Sequence, residues 1–178
     1  EKSLAKVTAF AVESMMRGIE GDFKKLDVTF DRYFSEQSLA EQKLIDRVLK
    51  RLQEKEMSYE AEGALWFRST EFGDDKDRVL KKQTGEYTYL APDIAYHESK
   101  FERGFQKLIN LWGPDHHGYV PRLKAACQEL GYSPDAITIL IVQLTTLYRS
   151  GKPVRMSTRA GEFVTLAELV EEVGPDAA

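Results

Sequence analysis

The sequence has a single cysteine, Cys127, among 178 residues, so no internal disulfide can form. A reducing compartment suits such a chain better than secretion, and no charged-then-apolar leader precedes the first helical pattern. The cytoplasm is the expected location. Long apolar runs are also missing: the longest stretch, 137–144, contains Thr138 and Gln143 and falls well short of the roughly 18 residues a membrane helix requires. Positive charge is not in excess, with 25 Lys and Arg against 29 Asp and Glu and a net charge of -4. The chain therefore has no global attraction for nucleic acid, and any such partner has to be met locally or elsewhere in the protein. Internal repeats, low-complexity tracts and long Pro/Gly/Ser linkers are absent.

What remains, 42% hydrophobic and 30% charged residues, is an ordinary globular composition long enough to bury a core. The chain opens on Glu1 without a methionine and ends on Gly174-Pro175-Asp176-Ala177-Ala178, and is expected to be a piece of something longer.

Apolar residues Leu4, Val7, Phe10, Ala11, Met15, Ile19 and Phe23 recur at steps of three and four, predicting an amphipathic scaffold helix. A short strand is expected at 28–30. Leu39, Leu44, Ile45, Val48, Leu49 and Leu52 mark a second helix with a solvated, highly charged outer face. Four β-prone pieces at 57–60, 64–68, 79–82 and 87–90 are separated by turn chemistry at Glu62-Gly63, Gly73-Asp74-Asp75 and Thr84-Gly85, predicting a small antiparallel insertion. From there strand and helix alternate: strand 87–90, helix 92–104, strand 107–112, helix 118–130, strand 136–144. That alternation describes an α/β fold, the second part of a Rossmann-like parallel sheet with crossover helices. The expected division is a helical part at 1–56, the insertion at 57–86 and the βαβαβ part at 87–178. Thr165 and Glu168 form a capping box for a last helix over 166–173.

In a parallel sheet, ligands bind beyond the carboxyl ends of the strands, which directs attention to three segments. The loop 151–163 carries Gly151, Lys152, Arg155, Ser157, Thr158, Arg159 and Gly161, a set that can wrap a polyphosphate through backbone N–H groups, hydroxyls and bidentate arginine. Composition by itself favours a plain basic hairpin loop. Tyr89 and Asp93 flank Pro92, and a carboxylate in a first helical turn is stabilised by the helix dipole whether or not it also meets a cationic ligand. In Trp112-Gly113-Pro114-Asp115-His116-His117-Gly118, the glycine would let a ligand approach the backbone while the aspartate and histidines offer hydrogen bonds; an Asp-initiated helix start is the plainer account. A metal site is not expected, since His97 is the only other histidine and Cys127 falls on a helix. Cys127 reads as a packed thiol, and His97, one turn after Asp93, as half of a surface Asp–His pair.

Taken in order along the chain, these segments resemble the catalytic domain of class I arginyl-tRNA synthetases. The resemblance rests on LDVTFD at 26–31, YFSE at 33–36, GALWF at 63–67, FGDDKDRV at 72–79, YTYLAPDIAYH at 87–97, WGPDHHGYVPR at 112–122 and VRMSTRAGEFVTL at 154–166. It implies ATP-dependent activation of L-arginine to arginyl-adenylate, with Mg2+ on the triphosphate, followed by transfer to tRNA(Arg), the first step also needing tRNA. Arg155, Ser157, Thr158 and Arg159 then fall on the catalytic KMSKS-type loop, with Met156 and Gly161 on its ATP side. Tyr89, Asp93 and His116 would hold arginine, and Gly113, Asp115 and His117 would line the adenosine pocket. Two departures from the family pattern stand out. Arg155 and Thr158 replace the two lysines of the loop motif, and the HIGH motif and the anticodon-binding domain are not in the chain, so the segment alone is expected to be inactive. A free-standing non-catalytic interaction module and an adenylating enzyme for another substrate are the competing readings. An exposed sheet edge would allow the segment to self-associate.

Overall fold

Helix α1 (Lys2–Lys25) begins the computed structural model, which describes residues 2–154 and 163–178. The chain divides into two compact units, one made of residues 1–33 and 146–178 and the other of 34–145.

In the first unit the predicted period of α1 is present, but its apolar stripe is not buried: Leu4, Val7, Phe10 and Met15 are all exposed. The chain then turns at Asp27, whose φ is 56°. This turn replaces the expected strand at 28–30: Val28 N–H donates to the Phe23 carbonyl at 3.0 Å and Phe30 packs edge-on against Phe23, so the segment turns back onto the end of α1. A short hairpin, β6 (Tyr148–Arg149) and β7 (Lys152–Pro153), turns through Ser150 and Gly151, both at positive φ. Helix α6 (Leu166–Val173) has the predicted bounds and capping box: the Thr165 hydroxyl accepts from Glu168 N–H at 3.1 Å, and the Glu168 carboxylate accepts from Thr165 N–H at 2.8 Å. Arg149 pairs with Glu172 on that helix.

In the second unit the expected helix over 39–52 is two helices, α2 (Gln37–Glu41) and α3 (Leu44–Glu54), broken where Lys43 takes a left-handed conformation. The break lets Leu39 and the Ile45, Val48, Leu49 and Leu52 face share one core. The charged face of α3 is not simply solvated. Arg51 pairs with Glu98, whose side chain is fully buried, while Arg47 reaches Glu98 at 3.5 Å and Glu102 at 2.6 Å.

The antiparallel insertion is present as β1 (Ser58–Ala61), β2 (Ala64–Phe67) and β3 (Arg78–Lys81), in that order. Glu62 and Gly63, both at positive φ, make the two-residue turn whose twist suits a hairpin. The fourth piece differs: 87–90 is not a strand. It makes one bridge, Lys81 to Tyr87, and then helix α4 starts at Leu90 and runs to Glu102. Pro92 does not prevent this early start, because the first-turn N–H groups of a helix have no intrahelical partner to lose, and Leu90, Ala91 and Ile94 gain the core.

Strands β4 (Leu108–Trp112) and β5 (Ile137–Ile141) pair in parallel, Leu108 opposite Ile137 and Trp112 opposite Ile141, with helix α5 (Val120–Glu129) as the crossover. A 3-10 turn over Pro114–Tyr119 leads into α5. Leu108 and Asn110 face the core, whereas Ile109, Leu111 and Leu140 are exposed. Cys127 is the packed thiol expected, and burial pushes its pKa up to about 12. No helix among the described residues is long and apolar enough to cross a membrane.

Candidate functional site

The amino end of α4 and the carboxyl end of β4 come together at one point. Asp93, in the first turn of α4, is half-buried, and its carboxylate accepts a hydrogen bond from the Tyr119 hydroxyl at 2.8 Å. Tyr119 ends the 3-10 turn that follows β4, and its ring packs edge-on against Trp112, the last residue of the strand, at 5.6 Å. Burial, then the nearby Asp93 charge, pushes the Tyr119 pKa up, so the hydroxyl remains a donor.

His97 is not half of a surface pair. It is 4% exposed, and its Nδ1 lies 2.8 Å from the main-chain carbonyl oxygen of Asp93 rather than the side chain. A carbonyl only accepts, so Nδ1 carries the proton and Nε2 accepts from the Asn110 amide at 3.0 Å. Asn110 in turn accepts from Lys100 at 3.3 Å. Burial lowers the His97 pKa and keeps the ring neutral, consistent with that tautomer. One strand residue and one helix residue thereby lock the position of the first turn of α4.

Tyr89 caps α4 one turn before Asp93 and is 87% exposed. It lines a cavity of about 660 Å³ together with Glu36, Gln37, Lys82, Tyr87 and Pro92; Asp93 is not among the lining residues. Gly113 is extended (φ -70°, ψ 161°), and a Cβ there would meet the exposed Asp115 carboxylate at 2.6 Å, a contact that side chain can relieve by turning outward. Asp115, His116 and His117 are exposed, with His116 Nε2 3.5 Å from the Asp115 carboxylate and its ring 5.9 Å from Trp112. The remaining predicted site residues, Arg155, Met156, Ser157, Thr158, Arg159 and Gly161, lie outside the described residues. No group of three or more His, Cys, Asp or Glu side chains among the described residues is arranged to hold a metal.

A brace that sequence reasoning did not identify ties the insertion to this site. Asp74, ahead of β3, takes a bidentate pair from Arg78 at 2.8 and 2.9 Å and a further bond from Arg122 Nη2 at 3.1 Å. Arg122 lies 5.7 Å from the centre of the Tyr119 ring. The Arg78 guanidinium foremost, then hydrogen bonding from Asp75 and last the Arg122 charge, holds the Asp74 carboxyl well below the usual carboxylate range despite its burial. A depressed folded-state pKa contributes stability that is fully present above the unfolded value of about 3.9 and is lost as pH falls below it. Asp74→Asn is therefore expected to lower the urea midpoint at pH 7, and the gap from the parent should narrow below about pH 4. A gap independent of pH would disprove the charge assignment.

The sequence profile of the class I tRNA synthetase (R) catalytic domain matches residues 2–177. The arginine-tRNA ligase of Oleidesulfovibrio alaskensis is 52% identical over 178 residues, all of this chain but 32% of the relative. That of Anoxybacillus flavithermus is 59% identical over 162 residues, 91% of this chain and 29% of the relative. A Campylobacter jejuni structure described as an arginyl tRNA synthetase superposes with a TM-score of 0.89 at 38% identity, covering 99% of this chain and 38% of that one. The arginyl-tRNA synthetase of Thermus thermophilus shares the fold, with a TM-score of 0.68 at 20% identity. The chain thus spans about a third of the length of the curated relatives it matches.

Proposed function

This chain belongs to the class I arginyl-tRNA synthetase family, and we propose that it is the part of an arginine-tRNA ligase catalytic domain that selects arginine and closes on ATP. In the intact protein the arginine carboxylate attacks the α-phosphorus of ATP, the bond to the β-phosphate breaks and pyrophosphate leaves. A hydroxyl of the terminal adenosine of tRNA(Arg) then attacks the arginyl carbonyl and AMP leaves. The protein's part in both steps is positioning and charge stabilisation.

The observation that carries this reading is Asp93: a half-buried carboxylate, at a helix N-terminus and fixed by Tyr119, beside the carboxyl end of a parallel strand. A carboxylate offers about four lone-pair sites, and the one given to Tyr119 leaves enough for the two parallel bonds of a guanidinium fork. In this proposal Tyr89 and His116 complete the arginine side. Gly113, Asp115 and His117 serve the adenosine side, while Arg155, Met156, Ser157, Thr158, Arg159 and Gly161 serve the triphosphate. Mg2+ would arrive on the ATP phosphates, as is usual for that ion. The helical part at 1–56, the insertion at 57–86 and the Rossmann-like part at 87–178 are proposed as subdivisions of one catalytic domain working in the cytoplasm. For the isolated segment, self-association through the edges of the two-stranded parallel sheet is proposed as well.

A full-length protein carrying this segment is expected to charge tRNA(Arg) with arginine in the presence of ATP. The segment alone is expected to show no arginine- and tRNA-dependent pyrophosphate exchange. If the full-length protein bound neither arginine nor ATP, the non-catalytic module would be the better reading.

A further inference from the structure

A carboxylate that is to read a guanidinium must present both oxygens in the plane of the fork. A side chain free to turn about its last bond would give up part of that binding in lost rotational freedom. Asp93 is restrained at two places. Its main-chain carbonyl is tied to His97, which fixes the helix turn but leaves the carboxylate free to rotate. Among the described residues, the hydrogen bond to the carboxylate itself comes from Tyr119, at 2.8 Å to Oδ2.

Tyr119 is held in its turn. Trp112 meets its ring edge-on from the end of β4, and Arg122 lies near the ring from the first turn of α5. Arg122 is kept there by Asp74, with Nε 3.0 Å from one carboxylate oxygen and Nη2 3.1 Å from the other. Asp74 is anchored to the antiparallel insertion by Arg78. The order Asp74, Arg122, Tyr119, Asp93 is a continuous physical chain from the insertion to the carboxylate.

We propose that Tyr119 is a positioning residue for arginine recognition, orienting the Asp93 carboxylate for a bidentate guanidinium, and that the insertion braces it through Asp74 and Arg122. This rests on the assignment of Asp93 to the guanidinium. It also gives the insertion a role in substrate choice. Tyr119 does not touch the substrate in this scheme, so its loss should affect arginine and leave ATP alone.

The test is steady-state aminoacylation by the full-length protein. Tyr119→Phe removes one oxygen and keeps the ring. Its KM for arginine is expected to rise roughly tenfold to a hundredfold, the range for a lost hydrogen bond to a charged group, while the KM for ATP stays put. In an Asp93→Ala background the same substitution should add nothing, because there is no carboxylate left to orient. An unchanged arginine KM in Tyr119→Phe, together with a raised one in Asp93→Ala, would overturn the role of Tyr119 and leave the Asp93 assignment standing. An unchanged arginine KM in Asp93→Ala would overturn both. Equal rises for arginine and ATP would mean that Tyr119 is merely structural, which also overturns the proposal. Should Tyr119→Phe not fold, Arg122→Gln replaces it: releasing the ring is expected to raise the arginine KM about two- to fivefold, and no change there counts against the proposal.

Discussion

Asp93→Asn in the full-length protein is expected to cut kcat/KM for arginine by roughly thirtyfold to several thousandfold with little effect on the KM for ATP. The size follows from the chemistry of the pair. Removing one partner of a sequestered, hydrogen-bonded charge pair costs about 2 to 5 kcal/mol, much of it from leaving the other charge unmatched. Asparagine keeps the shape and still accepts from Tyr119, but one of its two positions becomes an NH2 that faces the donors of the guanidinium. Steady-state aminoacylation over a wide arginine range reads the result directly. If the variant kept an undiminished kcat/KM for arginine, Asp93 would not be the group that reads the guanidinium.

The second large effect is on stability and involves Glu98. Its side chain is fully buried in α4, with Arg51 and Arg47 meeting it from α3, and Arg51 also donates to the Leu130 carbonyl at 2.7 Å. Glu98→Ala leaves a cavity and takes its carboxylate from Arg51, whereas Arg47 keeps Glu102. Breaking a buried pair usually costs about 3 to 5 kcal/mol. Both arginines are partly exposed, at 35% and 45%, and water can take up some of their charge, so a value near the lower bound, about 3 kcal/mol, is expected from urea unfolding of the protein carrying this segment. A loss below about 1 kcal/mol would mean that the network behaves as an ordinary surface pair. Replacing Glu98 and Arg51 together by methionine should cost less than Glu98→Ala alone, since no buried charge is then left over.

The exposed stripe of α1 and the exposed face of β4 and β5 bear on how far a single segment can be understood alone. Leu4, Val7 and Phe10 have the spacing of a buried helix face, and Ile109 and Leu111 alternate as a two-sided sheet strand would, yet all five are exposed. Periodicity reports which surfaces are apolar, not what covers them. The chain accounts for about a third of the length of its curated relatives.

Sequence alone determined the features whose causes lie within a few residues. The capping box of α6 joins positions three apart, the Glu62-Gly63 turn needs only its two backbone conformations, and the order of strand, crossover helix and parallel strand follows from periods of two and 3.6. Local reading failed where core packing outweighed it. The β-prone residues 87–90 became the start of α4 because Leu90 reaches the core there, and the long α2–α3 helix broke at Lys43 for the same reason. What only the tertiary structure decided is which polar groups meet across long separations. Tyr119 and Asp93 are 26 residues apart, Arg51 and Glu98 are 47 apart, and Arg122 and Asp74 are 48 apart. No short-range pattern encodes such pairs. They exist because packing brings their helices and loops together, and a half-buried carboxylate that gives up water has to find its donors there.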